Sequence, residues 1–369
     1  MPLFRRGKQK PEPKAAAAKP GPPPTQSAAK PAAAQAQAPT PAAAAAPAQP
    51  NLAAKRGMPA PHTVNDYGDP LFAELLEAAG GRDWGEVRGL LAKQDARSED
   101  YTCLLWNLAK ANTEPEGWLA KAVLPERDDP VAVAMLAAVK ISRGWEVRTA
   151  SRAQYVGREQ FETFHSLLAE AQDLLFGAAE LDRSSVAPWA LLVDLSLGLN
   201  PGVDVALRRL EAVTMRCPGH LYAHRSILNI LCRKWYGSHD QMHAFARDAL
   251  HGPHSLRLGE LTAIAHIERW LDLSGKEERA AYMHRPEVGA ELLEAAELSI
   301  LRPEYSYPRN PYFAPNLFAM AFCLAGMWEP ALAAFEATEG VVTGRWQYIN
   351  SKDPSFAYNA WREHVLKNL

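Results

Sequence analysis

The sequence lacks most of the signals that announce chemistry. It holds four cysteines in 369 residues, Cys103, Cys217, Cys232 and Cys323, and no two of them form a CxxC pair. That scatter excludes zinc-ribbon and thiol-disulfide motifs and leaves the thiols as small apolar groups suited to a reducing compartment. No uninterrupted apolar run approaches the ~18–20 residues needed to cross a bilayer, so no transmembrane segment is expected. The opening MPLFRRGKQK passes from its charges straight into Pro, Glu and Lys, without the apolar stretch of a secretory signal. A cytoplasmic location is therefore expected. There is no GxxxxGK[ST] loop, no GxGxxG after a strand and no GxSxG elbow. Nor does any helix rich in Arg, Asn and Gln follow a helix-turn-helix signature, which argues against sequence-specific nucleic-acid binding. No cofactor is expected.

Aromatic residues are missing from one whole region: none lies between Phe4 and Tyr67. Residues 1–62 are mostly Ala and Pro and have almost nothing to bury, so they cannot offset the entropy of ordering a backbone. They are expected to form a disordered, partly polyproline-like tether ahead of a folded domain at 63–369. The net charge of −2 hides an asymmetry, because nine of the 40 Lys and Arg but one of the 42 Asp and Glu lie in residues 1–62. The tail thus carries +8 and the rest −10. Such a tail could reach an anionic partner, whether membrane lipid, nucleic acid or acidic protein; otherwise its charges keep it solvated or fold it loosely back onto its own body.

What the folded part does have is helical periodicity from Asp69 onward. DPLFAELLEAAGG starts with Asp69 as N-cap and Pro70 at the first helical position, and ends in glycine. GREQFETFHSLLAEAQDLLFGAAELD repeats its apolar residues every three or four positions and could run as one helix of about 24 residues. HLYAHRSILNILCRKW and SLRLGELTAIAHIERWLDLSG likewise read as single helices. No alternating β-pattern stands out. The fold class expected is all-α.

Self-similarity refines this. In PNLFAMAFCLAGMWEPALAAFEA, residues Ala319, Phe322, Gly326, Ala331 and Phe335 fall at the small, aromatic, Gly, small, aromatic offsets of the tetratricopeptide repeat. Small residues let paired helices approach, and aromatics fill the gap to the next pair. A second match runs through Trp189, Leu192, Ala206, Leu210 and Pro218, and Trp84, Val87 and Leu91 echo Trp328, Ala331 and Phe335. The period is not kept elsewhere, so an irregular tetratricopeptide-like array of antiparallel helical pairs, an α-solenoid, is expected. Residues 143–246 also resemble the central part of a group of uncharacterised bacterial proteins with a domain of unknown function on such a scaffold. The resemblance is carried by RGW at 143–145, Val156, Phe161, Trp189, KWYGS at 234–238, Met242 and Phe245-Ala246. It implies a fold and no activity, and the tail lies outside it.

Seven of the eleven histidines fall between 220 and 266. HLYAH and HDQMH each set two imidazoles on one helical face, and HDQMH is one methylene short of the HExxH zinc motif. A metal-dependent hydrolase would need His239 and His243 with His224 as third ligand and Asp240 as base. The local pattern favours a helix start instead. Gly237 ends one helix, Ser238 caps the next with Gln241 in a capping box, and Asp240 sits in the first turn. Met242, Phe245, Ala246 and Ala249 would then form the buried face.

A stack of helical pairs usually docks a peptide or protein in its groove. Arg225, Asn229 and Arg233 lie off the apolar stripe of their helix and are candidate contacts. Tyr305, Tyr307, Tyr312 and Phe313 cluster among prolines in RPEYSYPRNPYFAP, a composition common at interfaces, although rings packed back over the final helix pair would look the same. The expectation is a non-enzymatic scaffold or adaptor that binds another protein or peptide.

Overall fold

A computed structural model describes residues 52–112, 117–149, 156–307 and 309–369, and apart from one isolated bridge every regular element in them is helical. The chain enters through one helical turn, α1 (Leu52–Lys55). It continues through α2 (Pro70–Gly80), α3 (Trp84–Ala92), α4 (Glu99–Ala111), α5 (Trp118–Val123), α6 (Pro130–Arg148) and α7 (Arg158–Leu181). Next come α8 (Ala187–Leu199), α9 (Val203–Thr214), α10 (Leu221–Ile230), α11 (His239–Leu250), α12 (Ser255–Leu258) and α13 (Glu260–Asp272). The remainder is α14 (Lys276–Met283), α15 (Pro286–Glu297), α16 (Phe313–Ala325), α17 (Trp328–Ala337), a 3-10 turn at Gly344–Tyr348, and α18 (Pro354–Asn368). The fold is an all-α helical array.

Short polar side chains start these helices. Asp69, Asp83, Ser98, Asp129, Ser238 and Asp353 each accept a hydrogen bond from a backbone N–H in the first turn of α2, α3, α4, α6, α11 and α18. Each such cap is worth about 1 kcal/mol to its helix. Pro70, Pro130 and Pro354 open three of the same helices, where a missing N–H costs nothing.

Two apolar cores meet at α8. Leu191, Leu192 and Leu195 face the core built by α2 to α7, while Ala190 and Val193 face the one built by α9 to α18. A helix buried on both sides must be largely apolar, and the two polar residues of APWALLVDLSLGL are bonded: Asp194 accepts from Ser226 Oγ at 3.1 Å and Ser196 Oγ donates to the Leu192 carbonyl at 2.9 Å. Burying Leu191, Leu192, Val193 and Leu195 contributes roughly 1.5–3 kcal/mol each. In the α16–α17 pair, Ala319, Phe322, Ala331 and Phe335 are all buried, and Gly326 makes the turn in the left-handed region at φ 72°.

The sequence pattern overran two helices. HLYAHRSILNILCRKW ends its helix at Ile230, and the chain doubles back so tightly that a Cβ on Gly237 would lie 2.3 Å from the Leu231 carbonyl oxygen. Arg233 and Trp235 therefore sit in a turn, off the helix that carries Arg225. SLRLGELTAIAHIERWLDLSG breaks into α12 and α13 at Gly259, where a Cβ would meet Ser299 Oγ at 2.6 Å and the Ala295 carbonyl at 2.9 Å.

Residues 1–51 of the expected tail lie outside the described residues. Residues 52–62, grouped with that tail on composition, pack on the body. Ala53 is buried, the Leu52 and Ala53 amides donate to the Glu363 carboxylate at 3.0 Å, and Arg362 Nη1 donates to the Pro59 carbonyl at 2.7 Å. His62 then pairs with Val341 in the isolated parallel bridge, so the folded part begins by Leu52 rather than at 63.

Candidate functional site

A cleft of about 580 Å³ opens where α4, α10, the loop before α16, the 3-10 turn and the segment at 63–67 meet. Its walls are aromatic: Trp106 from α4, Tyr222 from α10, Tyr307, Tyr312 and Phe313 from the loop and the start of α16, and Tyr348 beyond them. Among the described residues four cations line it, Lys110, Arg225, Arg309 and Arg345, and no acid does.

Each cation is held differently. Arg225 Nε donates to Glu260 Oε1 on α13 at 2.5 Å, and its guanidinium carbon lies 4.1 Å from the centre of the Phe313 ring. Burial alone would lower the Arg225 pKa, but the Glu260 carboxylate overrides it and raises it, so the charge is fixed. Its Nη2 is buried with no hydrogen-bond partner among the described residues, and so is Thr343 Oγ1 across the cleft. Arg309 Nη1 donates to Asp69 at 2.5 Å, tying the loop to the cap of α2. Arg345 lies 5.0 Å from the Phe313 ring, and its Nη1 reaches only the Tyr348 hydroxyl, at 3.4 Å. Neither Arg345 nor Lys110 forms an ion pair among the described residues. A buried donor left unpaired costs about 1–3 kcal/mol, so the cleft favours an incoming acceptor.

Behind the cleft lies a buried polar node that fixes its walls. Glu99, 2% exposed, accepts from the Leu221 and Tyr222 amides at the start of α10 at 3.0 and 2.7 Å, and from Arg257 Nη2 at 2.7 Å. The Tyr307 hydroxyl donates to the same carboxylate at 3.4 Å. Burial pushes the Glu99 pKa up, but attraction to His220 and Arg257 and the two amide donors outweigh it and hold it low. Cys103 touches the Tyr307 hydroxyl at 3.5 Å, and burial pushes its thiol up to about 12, far from a reactive thiolate.

Of the seven residues singled out for docking, Arg225, Tyr307, Tyr312 and Phe313 thus share one cleft. Tyr307 is a buried wall rather than a free ring. Tyr312 packs over Gly68, which has φ 74° and no room for a Cβ beside that ring. Tyr305 lines a separate hollow with Pro315 and Ala334, on the α16–α17 side. Asn229 lies away from the cleft, and Arg233 is exposed and bonded to Asp272 at 2.6 Å. Lys110, Arg309 and Arg345 were not singled out. Their common signal is a cation whose fold neighbours are aromatic, which only the meeting of distant segments reveals.

The histidines separate. His220 caps α10, taking the Ala223 amide on Nδ1 at 3.3 Å, with Thr102 on its other nitrogen at 3.2 Å. His224 back-bonds to the His220 carbonyl at 2.8 Å and stacks on Phe245. His239 meets Asp272 at 2.8 Å at the start of α11, where the Ser238 hydroxyl accepts the Gln241 amide as a cap. The set His224, His239 and His243 is not brought together. His243 meets His266 of α13 instead, ring centres 4.8 Å apart, with Glu291 of α15 bonded to His266 at 3.0 Å. His266 stood in the histidine cluster but not as a partner of His243, and Glu291 gave no signal, because their convergence depends on which helices pack side by side.

No family model matches the chain, and no curated protein is similar to it.

Proposed function

We propose that the chain is a non-enzymatic helical scaffold that docks an acidic segment of another protein in the cleft between α4, α10 and the 302–313 loop. One observation carries this: among the described residues four cations and no acid line an aromatic-walled cleft, and a buried guanidinium nitrogen has no acceptor there. Carboxylates of an extended segment can meet Arg225, Arg345 and Lys110, while its apolar side chains lie against Phe313 and Tyr348. A volume of about 580 Å³ suits a few residues of such a segment. The cleft offers no activated nucleophile: its one thiol is locked beside Tyr307. We place the protein in the cytoplasm, since its four unpaired thiols, three of them buried, suit a reducing compartment. The hydrolase on His224, His239 and His243 is not carried forward, because His224 is engaged by His220 and Phe245.

The experiment is affinity capture from the native host with wild-type chain and with Lys110→Glu/Arg345→Glu, a variant that reverses two cations lacking ion pairs. A partner held by wild type and lost by the variant supports the proposal. A partner held equally by both, or no partner with and without crosslinking, overturns it.

A further inference from the structure

Away from the residues that line the cleft, four helices converge on a second polar cluster. His243 projects from α11, His266 from α13, Tyr282 from α14 and Glu291 from α15. One nitrogen of each histidine and one carboxylate oxygen of Glu291 all lie within 4.8 Å of one another. We propose that His243, His266 and Glu291 form a binding site for a divalent transition-metal ion of the zinc type, which staples α11, α13 and α15 together.

The geometry argues for it step by step. His266 Nε2 and Glu291 Oε2 are 3.0 Å apart. Two ligands held at about 2.0–2.2 Å from a tetrahedral zinc are separated by about 3.3 Å, so this pair already stands at ligand spacing. The other nitrogen of His266, Nδ1, meets the Tyr282 hydroxyl at 2.8 Å. A metal-ligating imidazole commonly makes such a bond through its second nitrogen, which fixes its tautomer and orientation. Among the described residues His243 Nε2 has only the same hydroxyl, at a slack 3.4 Å. Tyr282 has one proton to give and faces two imidazoles, so His243 is the loosely held member and is free to swing toward an ion.

Access and selectivity follow from the surroundings. His266 is buried, but His243 is half-buried and the Glu291 side chain is 37% exposed, so an ion can enter from solvent. Arg247 lies 3.6 Å from the outer Glu291 oxygen, and Arg269 and Arg285 lie over the Tyr282 ring. Those charges oppose a cation held by carboxylate attraction alone, which disfavours magnesium and calcium. Two imidazole donors favour zinc, cobalt or nickel.

The test is titration of chelator-stripped full-length protein with Co²⁺, read by its visible absorption, followed by displacement with Zn²⁺. One equivalent is expected to give a tetrahedral or five-coordinate cobalt spectrum, with Zn²⁺ raising Tm. His243→Ala and Glu291→Gln are each expected to weaken Co²⁺ binding at least tenfold, whereas the control His251→Ala leaves it unchanged. Glu291→Gln alters a part-exposed side chain, so it decides the matter if His243→Ala fails to fold. Absence of a 1:1 cobalt spectrum in wild type, or its survival in the folded variants, overturns the site.

Discussion

Arg225 stands between Glu260 behind it and Phe313 in front, bonded to one and 4.1 Å from the ring centre of the other. The ion pair is largely out of water, with Glu260 only 2% exposed. Removing one member of such a pair strands the other charge, at a cost of about 3–5 kcal/mol. Arg225→Ala is therefore expected to lose about that much stability in urea denaturation. Arg225→Met combined with Glu260→Met should recover most of it, because no buried charge remains. The same double variant should bind an acidic ligand more weakly, since Arg345 and Lys110 remain, which separates the stabilising role of Arg225 from its docking role. Equal stability of the single and double variants would show that the pair is not coupled.

Glu99 is the second keystone. It closes the N-terminus of α10 and holds Arg257 and Tyr307 from one buried carboxylate. Glu99→Gln is expected to cost about 1–3 kcal/mol, since its amide must turn a donor toward Arg257 or toward the α10 amides. The pH dependence has a definite sign. The folded pKa is held below the unfolded one, so the stabilisation is present above the ordinary carboxylate value and is lost as pH falls through the lower, folded value. The stability gap between wild type and Glu99→Gln should therefore be full near neutrality and close in acid. A constant gap across that range would contradict the assignment.

His220, beside it, gives a second pH dependence. Burial pushes its pKa down to about 4, so the folded state resists the proton that the unfolded chain accepts near 6.5. Stability should fall as pH drops from about 6.5 toward 4. In His220→Asn, which keeps an N-cap acceptor for α10, that slope should flatten. Measuring unfolding free energy at several pH values checks it.

Helices were legible in the sequence because apolar spacing and caps are local: Asp69, Ser238 and the 24-residue α7 stand where the pattern put them. Helix ends were less so. Gly259 interrupts a continuous periodic stretch because Ser299 leaves no room for a side chain, and nothing within ten residues of Gly259 encodes Ser299. The cleft was half legible. Tyr312 and Phe313 advertised themselves by composition, while Lys110 and Arg345 acquire meaning only when segments more than two hundred residues apart come together. The histidine cluster misled for the same reason: chain proximity favoured His224 with His239 and His243, whereas helix packing delivers His266 and Glu291.

Two glycines offer a matched test of the packing. A Cβ on Gly198, in α8, would lie 2.3 Å from Leu168 Cδ1 and 2.7 Å from Phe164 Cζ, at the crossing with α7. Gly198→Ala should overpack that crossing and cost about 1–3 kcal/mol. Gly177 lies within α7 with nothing near its would-be Cβ. Gly177→Ala should instead stabilise by about 0.5–1 kcal/mol, the helix preference of alanine. Thermal unfolding of the two variants should move Tm in opposite directions.

The last prediction concerns the segment that composition assigned to the tail. Glu363 of α18 accepts the two amides that begin α1, and a carboxylate at a helix start is favoured by both hydrogen bonding and the helix dipole. Ala53 and the Pro59–Arg362 bond continue the contact, and the His62–Val341 bridge ends it. Glu363→Ala removes one anchor of several and should cost about 1 kcal/mol. Deleting residues 1–62 removes all of them and uncovers Arg362, whose Nη1 then needs water for a partner. Tm should fall further in the deletion than in Glu363→Ala, and amide exchange in α18 should rise in both. If deletion leaves α18 as protected as before, residues 52–62 only rest on the body and do not hold it.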